Sequence, residues 1–231
     1  MIRFAAAVVL LVVSLSVPAL ANGTDAFRAQ GNEPFWSLSM GEGELTFRPM
    51  DGEAVTLKPV PQPRVDGQSN IYDGGQGDGA LTVTIAAKLC TDSMTGMPFP
   101  RTVMVVRGGK TFSGCGGEPV SLLRGEWQVT EIAGRPVIAE AVPTVTFGGD
   151  GKISGLASCN RFFGGYSLTG EGLAVGQLGS TKMLCEPVVM DQEQVVLSLL
   201  ETAGGFALDE QGQLTLRSGD GRTLTARPLR Q

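Results

Sequence analysis

Four cysteines are the feature of this sequence that most restricts its fold: Cys90, Cys115, Cys159 and Cys185. The chain has no Cys-x-x-Cys motif and no histidine, which argues against a metal site or a thiol-redox site. An even number of cysteines in an exported chain predicts two disulfides, and three pairings are possible. We favour Cys90–Cys115 with Cys159–Cys185, because each bridge then lies within one predicted domain. Either bridge would close a loop of about 25 residues and stabilise the fold by about 3 kcal/mol in the chain-entropy model.

The first 21 residues predict a signal peptide, since Arg3 is followed by an apolar segment at residues 4–17 and by the small-residue motif Ala19-Leu20-Ala21. A membrane anchor is the weaker interpretation, because the apolar run is shorter than the roughly 20 residues that span a bilayer and ends at Pro18. No cysteine follows the cleavage motif, so we expect no lipid attachment. The sequence therefore predicts a periplasmic protein cleaved after Ala21.

The net charge and the absence of histidine argue against several classes of function. Without Arg3, 17 of the 18 basic residues remain against 23 acidic ones, a net charge of −6. An acidic chain with scattered basic residues is a poor ligand for nucleic acid or for anionic lipid headgroups. The absence of histidine removes Ser-His-Asp and Cys-His catalysis. We therefore expect a protein that is not an enzyme and that has no cofactor and no metal ion.

Residues 22–118 predict an antiparallel β meander of about seven strands. Residues 22–30 are interpreted as a polar leader, and Trp36, Leu38 and Met40 then alternate with serines. The other apolar positions with strand spacing are Leu45, Phe47, Val55, Leu57, Ile71, Leu81, Val83, Ile85, Val103–Val106 and Phe112. A meander of this length curls into a barrel or packs as a sandwich, because open strand edges promote aggregation.

Residues 119–231 predict a second domain after a linker at Glu118-Pro119, with strands and one helix. The helix is expected to begin near Pro187, to carry Asp191 in its first turn and to stop at Gly204-Gly205, with Glu193 and Glu201 on its polar face. A hairpin over residues 214–229 ends the chain. The predicted fold class is mainly β: two small antiparallel barrel-like domains, the second with one packed α-helix (α+β).

The second domain carries several motifs that occur together in one family. These are Leu123-x-Gly125-x-Trp127-x-Val129, Pro143-Thr144-x-x-Phe147, Cys159-Asn160-Arg161-Phe162-Phe163-Gly164-Gly165-Tyr166 and Ser180-Thr181-Lys182-Met183-Leu184-Cys185. In this combination the second domain resembles the META domain (HslJ-like) family. Ser158 and Leu184 depart from the family pattern, which usually has glycine and alanine at these positions.

The first domain resembles an uncharacterised module of bacterial envelope proteins. The marks of this module are residues 31–36 (Gly-Asn-Glu-Pro-Phe-Trp), Cys90-x-Asp92-x-Met94 and Gly114-Cys115-Gly116. Both resemblances imply an exported protein with a β-rich, barrel-like fold in each half. They further imply a role in envelope stress or in tolerance of toxic compounds, without a known reaction.

The sharpest candidate site is Asn160, Arg161, Phe162 and Phe163. An exposed arginine beside aromatic rings can bind an anionic or aromatic partner. In the competing structural interpretation, which we favour, Asn160 caps a turn, Phe162 or Phe163 fills the core and Arg161 lies over it.

Three other motifs give weaker evidence for a functional site. Ser180-Thr181-Lys182 lacks the spacing of a Ser–Lys nucleophile, and the acidic turns at residues 73–78 and Asp150-Gly151 lack the ligand order of a calcium loop.

The leading hypothesis is thus an exported, non-enzymatic protein in envelope-stress or toxic-compound tolerance, whose partner is unknown. One alternative is a small-molecule or lipid-binding module with an apolar cavity. Another is an inhibitor that binds a periplasmic or envelope protein through the disulfide-pinned loop at residues 94–99.

Overall fold

The computed structural model describes residues 26–229. The predicted signal peptide and its cleavage site lie outside this range. Within it, the chain forms two large antiparallel sheets, one two-stranded ribbon and one α-helix. None of the helical segments in these residues is long and apolar enough to cross a membrane. The predicted fold class, mainly β with barrel-like sheets and one packed helix, is confirmed.

The first half contains eleven strands: β1 (Phe27–Asn32), β2 (Phe35–Gly41), β3 (Glu44–Pro49), β4 (Val55–Leu57), β5 (Arg64–Asp66), β6 (Ser69–Gly74), β7 (Leu81–Ala86), β8 (Cys90–Thr91), β9 (Pro98–Phe99), β10 (Arg101–Arg107) and β11 (Lys110–Gly116). Nine of them form a half-barrel sheet in the order β4-β3-β2-β1-β11-β10-β7-β6-β5, while β8 and β9 form the separate ribbon. Strands β1 and β11, the first and last of this half, therefore lie side by side, whereas in a simple meander they would lie at opposite edges of the sheet.

Strand β1 corrects the prediction of a polar leader over residues 22–30. It pairs with β2 along its whole length and with β11 at Ala29 and Gln30. Small residues make this close pairing possible, because a Cβ at Gly31 would lie 2.2 Å from Trp36 Nε1. The Trp36 indole donates to the carbonyl oxygen of Ser113 (3.2 Å) and sits in a filled core of aromatic rings.

The second half contains ten strands and the helix: β12 (Gly125–Ile132), β13 (Arg135–Pro136), β14 (Thr144–Phe147), β15 (Lys152–Leu156), β16 (Arg161–Thr169), β17 (Gly172–Val175), β18 (Gly179–Ser180), α1 (Pro187–Glu201), β19 (Ala203–Leu208), β20 (Leu214–Ser218) and β21 (Thr223–Pro228). The main path of its sheet is β17-β16-β15-β14-β12-β21-β20-β19, with β13 beside β12 and β18 beside β16. Its two ends nearly close a barrel, since a Cβ at Gly172 would lie 2.3 Å from the carbonyl oxygen of Gly204.

Helix α1 fills the interior of this second sheet with Val196, Leu199 and Leu200, which are fully buried. Its predicted end was wrong: the helix stops at Glu201, and Gly204-Gly205 belong to β19, where the pairing with β20 shifts register. Asp191 lies beyond the first turn, in which no acidic residue is found.

The two halves have separate buried cores, and the ribbon lies against β11 of the first half and β19 of the second. Met97, at the tip side of the ribbon, packs against the core of the second half. A cleft of about 310 Å³ runs between the halves and is lined by Met97, Phe99 and Val120 among others.

The predicted linker continues into a 3₁₀ turn at Pro119–Leu122. The domain boundary at residue 118 stays a prediction.

Candidate functional site

Both predicted disulfides are present, Cys90–Cys115 with a sequence separation of 25 and Cys159–Cys185 with a separation of 26. The second bridge joins the start of β16 to the segment that precedes α1. It therefore brings the two most distinctive motifs of the sequence, residues 159–166 and 180–185, to one place.

Asn160 is buried at this junction and uses all four hydrogen-bonding positions of its side chain. Its Oδ1 accepts from the backbone N–H of Met183 (2.7 Å) and from the hydroxyl of Thr181 (2.8 Å). Its Nδ2 donates to the carbonyl oxygen of Met183 (3.1 Å) and to Glu193 Oε1 (2.9 Å). Asn160 thus does more than cap a turn, because it fixes the backbone of a segment 23 residues away.

Glu193 completes this network from α1. Its Oε2 accepts from the backbone N–H groups of Cys159 (3.1 Å) and Asn160 (2.6 Å). The prediction that Glu193 lies on the polar face of the helix was wrong, because the residue is buried. A signal was available: Glu193 stands three residues before Val196 and seven before Leu200, a spacing that puts it on the buried face.

The residue before Glu193 holds the neighbouring loops. Gln192 Oε1 accepts from the backbone N–H of Ile138 (2.8 Å), and its Nε2 donates to the carbonyl oxygen of Ala141 (2.9 Å) and to Ser158 Oγ (2.8 Å). Ser158 has a φ of 140°, a conformation that favours glycine. The hydrogen bond from Gln192 fixes the Ser158 side chain in this strained position.

The outer face of the second sheet carries a groove beside this network. One row of paired residues crosses it, from Glu126 through Thr146 and Ser154 to Phe163, and Arg161 lies in the next row. The groove has a volume of about 450 Å³. Its aromatic wall is Phe163, which is 63% exposed and lies against the backbone of Gly179, where a Cβ would be 2.8 Å from the ring.

The alternation along β16 separates the four candidate residues. Phe162 fills the core, as one of the two predicted alternatives, whereas Phe163 and Arg161 are exposed on the outer face. Arg161 forms no salt bridge with another residue of the described chain. The structure therefore divides the candidates into a structural pair, Asn160 and Phe162, and a pair available for binding, Arg161 and Phe163.

The C-terminal half of the molecule matches a known family. Residues 120–231 match the META domain family. The C-terminal half is a META domain. An NMR structure of a protein from Burkholderia xenovorans is 28% identical and covers 48% of this chain and 87% of its own, with a TM-score of 0.43. A second NMR structure is also 28% identical, covering 48% of this chain and 94% of its own at a TM-score of 0.40. No curated protein matches.

The remaining polar motifs of the META domain hold local backbone by hydrogen bonds. The Thr181 hydroxyl accepts from the backbone N–H of Arg161 (3.2 Å) and donates to Asn160 (2.8 Å), so it fixes the loop that contains Ser180-Thr181-Lys182. Asp150 accepts from the backbone N–H of Lys152 (3.2 Å) in a hairpin turn. In residues 26–229 no group of three or more Cys, Asp and Glu side chains is arranged to hold a metal ion.

The first half has a comparable buried acid at its own disulfide. Asp92 Oδ1 accepts from the backbone N–H groups of Met94 (3.1 Å) and Thr95 (2.8 Å) and from the Thr95 hydroxyl (2.9 Å), while Oδ2 accepts from Asn32 Nδ2 (3.0 Å). Burial raises the pKa of Asp92, but these donors outweigh it and hold the pKa below its ordinary value. The carboxylate therefore fixes the loop that follows Cys90.

Proposed function

We propose that this protein acts outside the cytoplasm as a non-enzymatic binding protein in envelope-stress or toxic-compound tolerance. The observation that carries the proposal is the outer groove of the META domain, where Arg161 and Phe163 face solvent beside a rigidly held loop. Export is supported by the predicted signal peptide and by the two disulfides, which form in oxidising compartments.

The groove favours a small aromatic acid as ligand. The Arg161 guanidinium can bind a carboxylate through two parallel hydrogen bonds, and the Phe163 ring can stack on an aromatic group. Hydroxyl groups line the floor of the groove between these residues and Glu126. Because Glu126 repels a second negative charge at the far end, a monoanion with a hydrogen-bond donor fits better than a dianion.

The other two hypotheses receive less support. The interior of the second sheet is occupied by Phe147, Phe162 and the apolar side chains of α1, which disfavours a lipid inside the barrel. In the loop at residues 94–99, Met97 already packs against the second half, so only its tip around Met94 is free to enter the cleft of another protein.

A titration of the labelled full chain with salicylate, followed by amide NMR, tests the ligand class. We expect shifts confined to β14, β15 and the start of β16, and no shifts with salicylamide, which lacks the carboxylate. Arg161→Gln and Phe163→Ser should each remove the response, whereas Arg48→Gln, an exposed arginine on the first sheet, should not. Shifts that persist in both groove variants, or none in the native chain, contradict the proposal.

A cellular test addresses the role itself. Deletion of the gene should reduce survival under heat, detergent or bulky aromatic antibiotics, and the native chain should restore it. The Arg161→Gln variant should fail to restore survival at equal protein level, while Arg48→Gln should succeed. Unchanged survival of the deletion strain across the whole panel speaks against a tolerance function.

A further inference from the structure

The segment between Ser180 and α1 displays an apolar knob. We use this name for Met183 and Leu184, whose side chains are 56% and 94% exposed. The knob is not a loose loop, because the backbone of Met183 is bound on both its N–H and its carbonyl by Asn160, and Cys185 is tied to Cys159. An apolar side chain held rigidly in solvent is preorganised for contact with another molecule.

An apolar groove, here called the helix groove, has a wall that begins four residues after the knob along the chain. It has a volume of about 400 Å³ and is lined by Ile132, Ala133, Arg135, Pro136, Ile138, Val188, Asp191, Gln192 and Val195. Its wall residue Val188 is 62% exposed and follows Leu184 by four residues. The knob and the helix groove are therefore neighbours at the first turn of α1.

We propose that a second copy of this chain covers this surface, so that the knob of each copy enters the helix groove of the other. A two-fold contact uses the same patch on both copies, and it requires that a protrusion and its matching recess lie side by side. The knob and the helix groove meet this requirement. By contrast, the exposed Met50 and Val65 of the first half have no comparable recess among the described pockets beside them.

Charge also favours a second copy. Lys182 precedes the knob and Asp191 lies at the edge of the helix groove, and neither forms a salt bridge within the described chain. A two-fold contact brings each Lys182 towards the Asp191 of the other copy, twice per dimer. A membrane is the poorer occupant, because the chain is acidic overall and Glu186 lies beside the knob.

Sedimentation velocity of the full chain over a concentration series tests the apolar contact between the knob and the helix groove. We expect a reversible monomer–dimer equilibrium, and Leu184→Ser and Val188→Ser should each weaken it by about tenfold or more. Val65→Ser, a matched loss of an exposed apolar side chain on the first sheet, should leave it unchanged. A native chain that stays monomeric at all concentrations overturns the proposal, and so does growth into open oligomers, because a two-fold contact closes.

Reversing the charges tests the pairing of the two copies. Lys182→Glu alone and Asp191→Lys alone should each weaken the dimer by about tenfold, since each places like charges opposite one another. An equimolar mixture of the two variants should recover dimers, because both contacts in the mixed dimer then join opposite charges. Lys110→Glu, which changes the net charge equally in the first half, is the control. A mixture that stays monomeric while both variants melt as native protein contradicts the arrangement.

Discussion

The two disulfide loops of this molecule have almost the same length but are held in different ways. In the first half, Asp92 binds mainly the backbone and hydroxyl groups of the next three residues, so the fixation is local. In the META domain, Glu193 comes from α1 and binds residues that precede it by 33 and 34 positions. The first loop is therefore held mainly by bonds among its own residues, whereas the second depends on the packing of α1 against it.

The loops also differ in what covers them. Met97 of the first loop packs against the META domain, whereas Leu184 of the second loop is displayed to solvent. The first loop therefore gains from apolar burial as well as from its hydrogen bonds. The second loop lacks that burial, so its order should depend more steeply on the hydrogen bonds made by Asn160 and Glu193.

The largest expected effect is that of Asn160→Ala, which removes four hydrogen bonds and leaves Glu193 Oε1 without its donor. We expect a loss of about 4 kcal/mol in the free energy of unfolding of the META domain, at about 1 kcal/mol for each bond. The two tryptophans allow each half to be followed separately: a Trp36→Phe background leaves Trp127, and a Trp127→Phe background leaves Trp36. Urea unfolding by fluorescence gives the value.

Asp92→Ala is the matched change in the first half. Asp92 is buried, but residues 93–96 that it binds are exposed, so water can replace their lost bonds. We therefore expect a loss of only about 2 kcal/mol in the free energy of unfolding of the first half, measured by the fluorescence of Trp36. Equal losses in the two halves would remove the distinction between local and long-range fixation.

Opening each bridge by paired Cys→Ser changes should have an effect between these two. Loops of 25 and 26 residues give nearly equal chain entropies, so the model predicts about 3 kcal/mol for either bridge. The difference should appear in local order: without Cys159–Cys185, Asn160 still binds Met183, and the amide of Met183 should stay protected from hydrogen exchange. Loss of that protection in the bridge variant, with the fold intact, would show that the disulfide and not Asn160 orders the knob.

Sequence patterns predicted most of the longer strands and the aromatic core, but they did not predict the polar network. The alternation of Leu81, Val83 and Ile85 is a local signal, whereas the choice between Phe162 and Phe163 as the core residue stayed open until the structure showed Phe162 buried. Strand β1 was missed because Ala29 carries little apolar surface, so the strand shows no clear apolar alternation. It is held by backbone hydrogen bonds to β2 and β11, which the sequence does not show. Glu193 was missed because a charged helical residue is normally exposed. What buries it is a loop from β16, and a single sequence does not reveal that contact.

A smaller effect is expected for Asp92→Asn. Its pKa is held below the ordinary value near 3.8, so its contribution to stability is complete above that value and is lost as the pH falls through the lowered pKa. Asn keeps the acceptor oxygen for the loop but places an amide opposite Asn32, at a cost of about 1 kcal/mol near neutral pH. Unfolding of the first half between pH 3 and 7, measured through Trp36, should show the native and variant curves converging at low pH. A constant difference across this range would exclude the ionised carboxylate as the cause.

The smallest effect concerns Ser158, which stands where the META family usually has glycine. Ser158→Gly relieves the strain of a φ of 140° but loses the hydrogen bond from Gln192 and adds freedom to the unfolded chain, so the net change should lie within about 0.5 kcal/mol. Ser158→Ala keeps the strain and loses the bond, and should cost about 1 kcal/mol more. Thermal melting of the three proteins, read through Trp127, separates these outcomes. If alanine is tolerated as well as glycine, the positive φ is not what selects the residue.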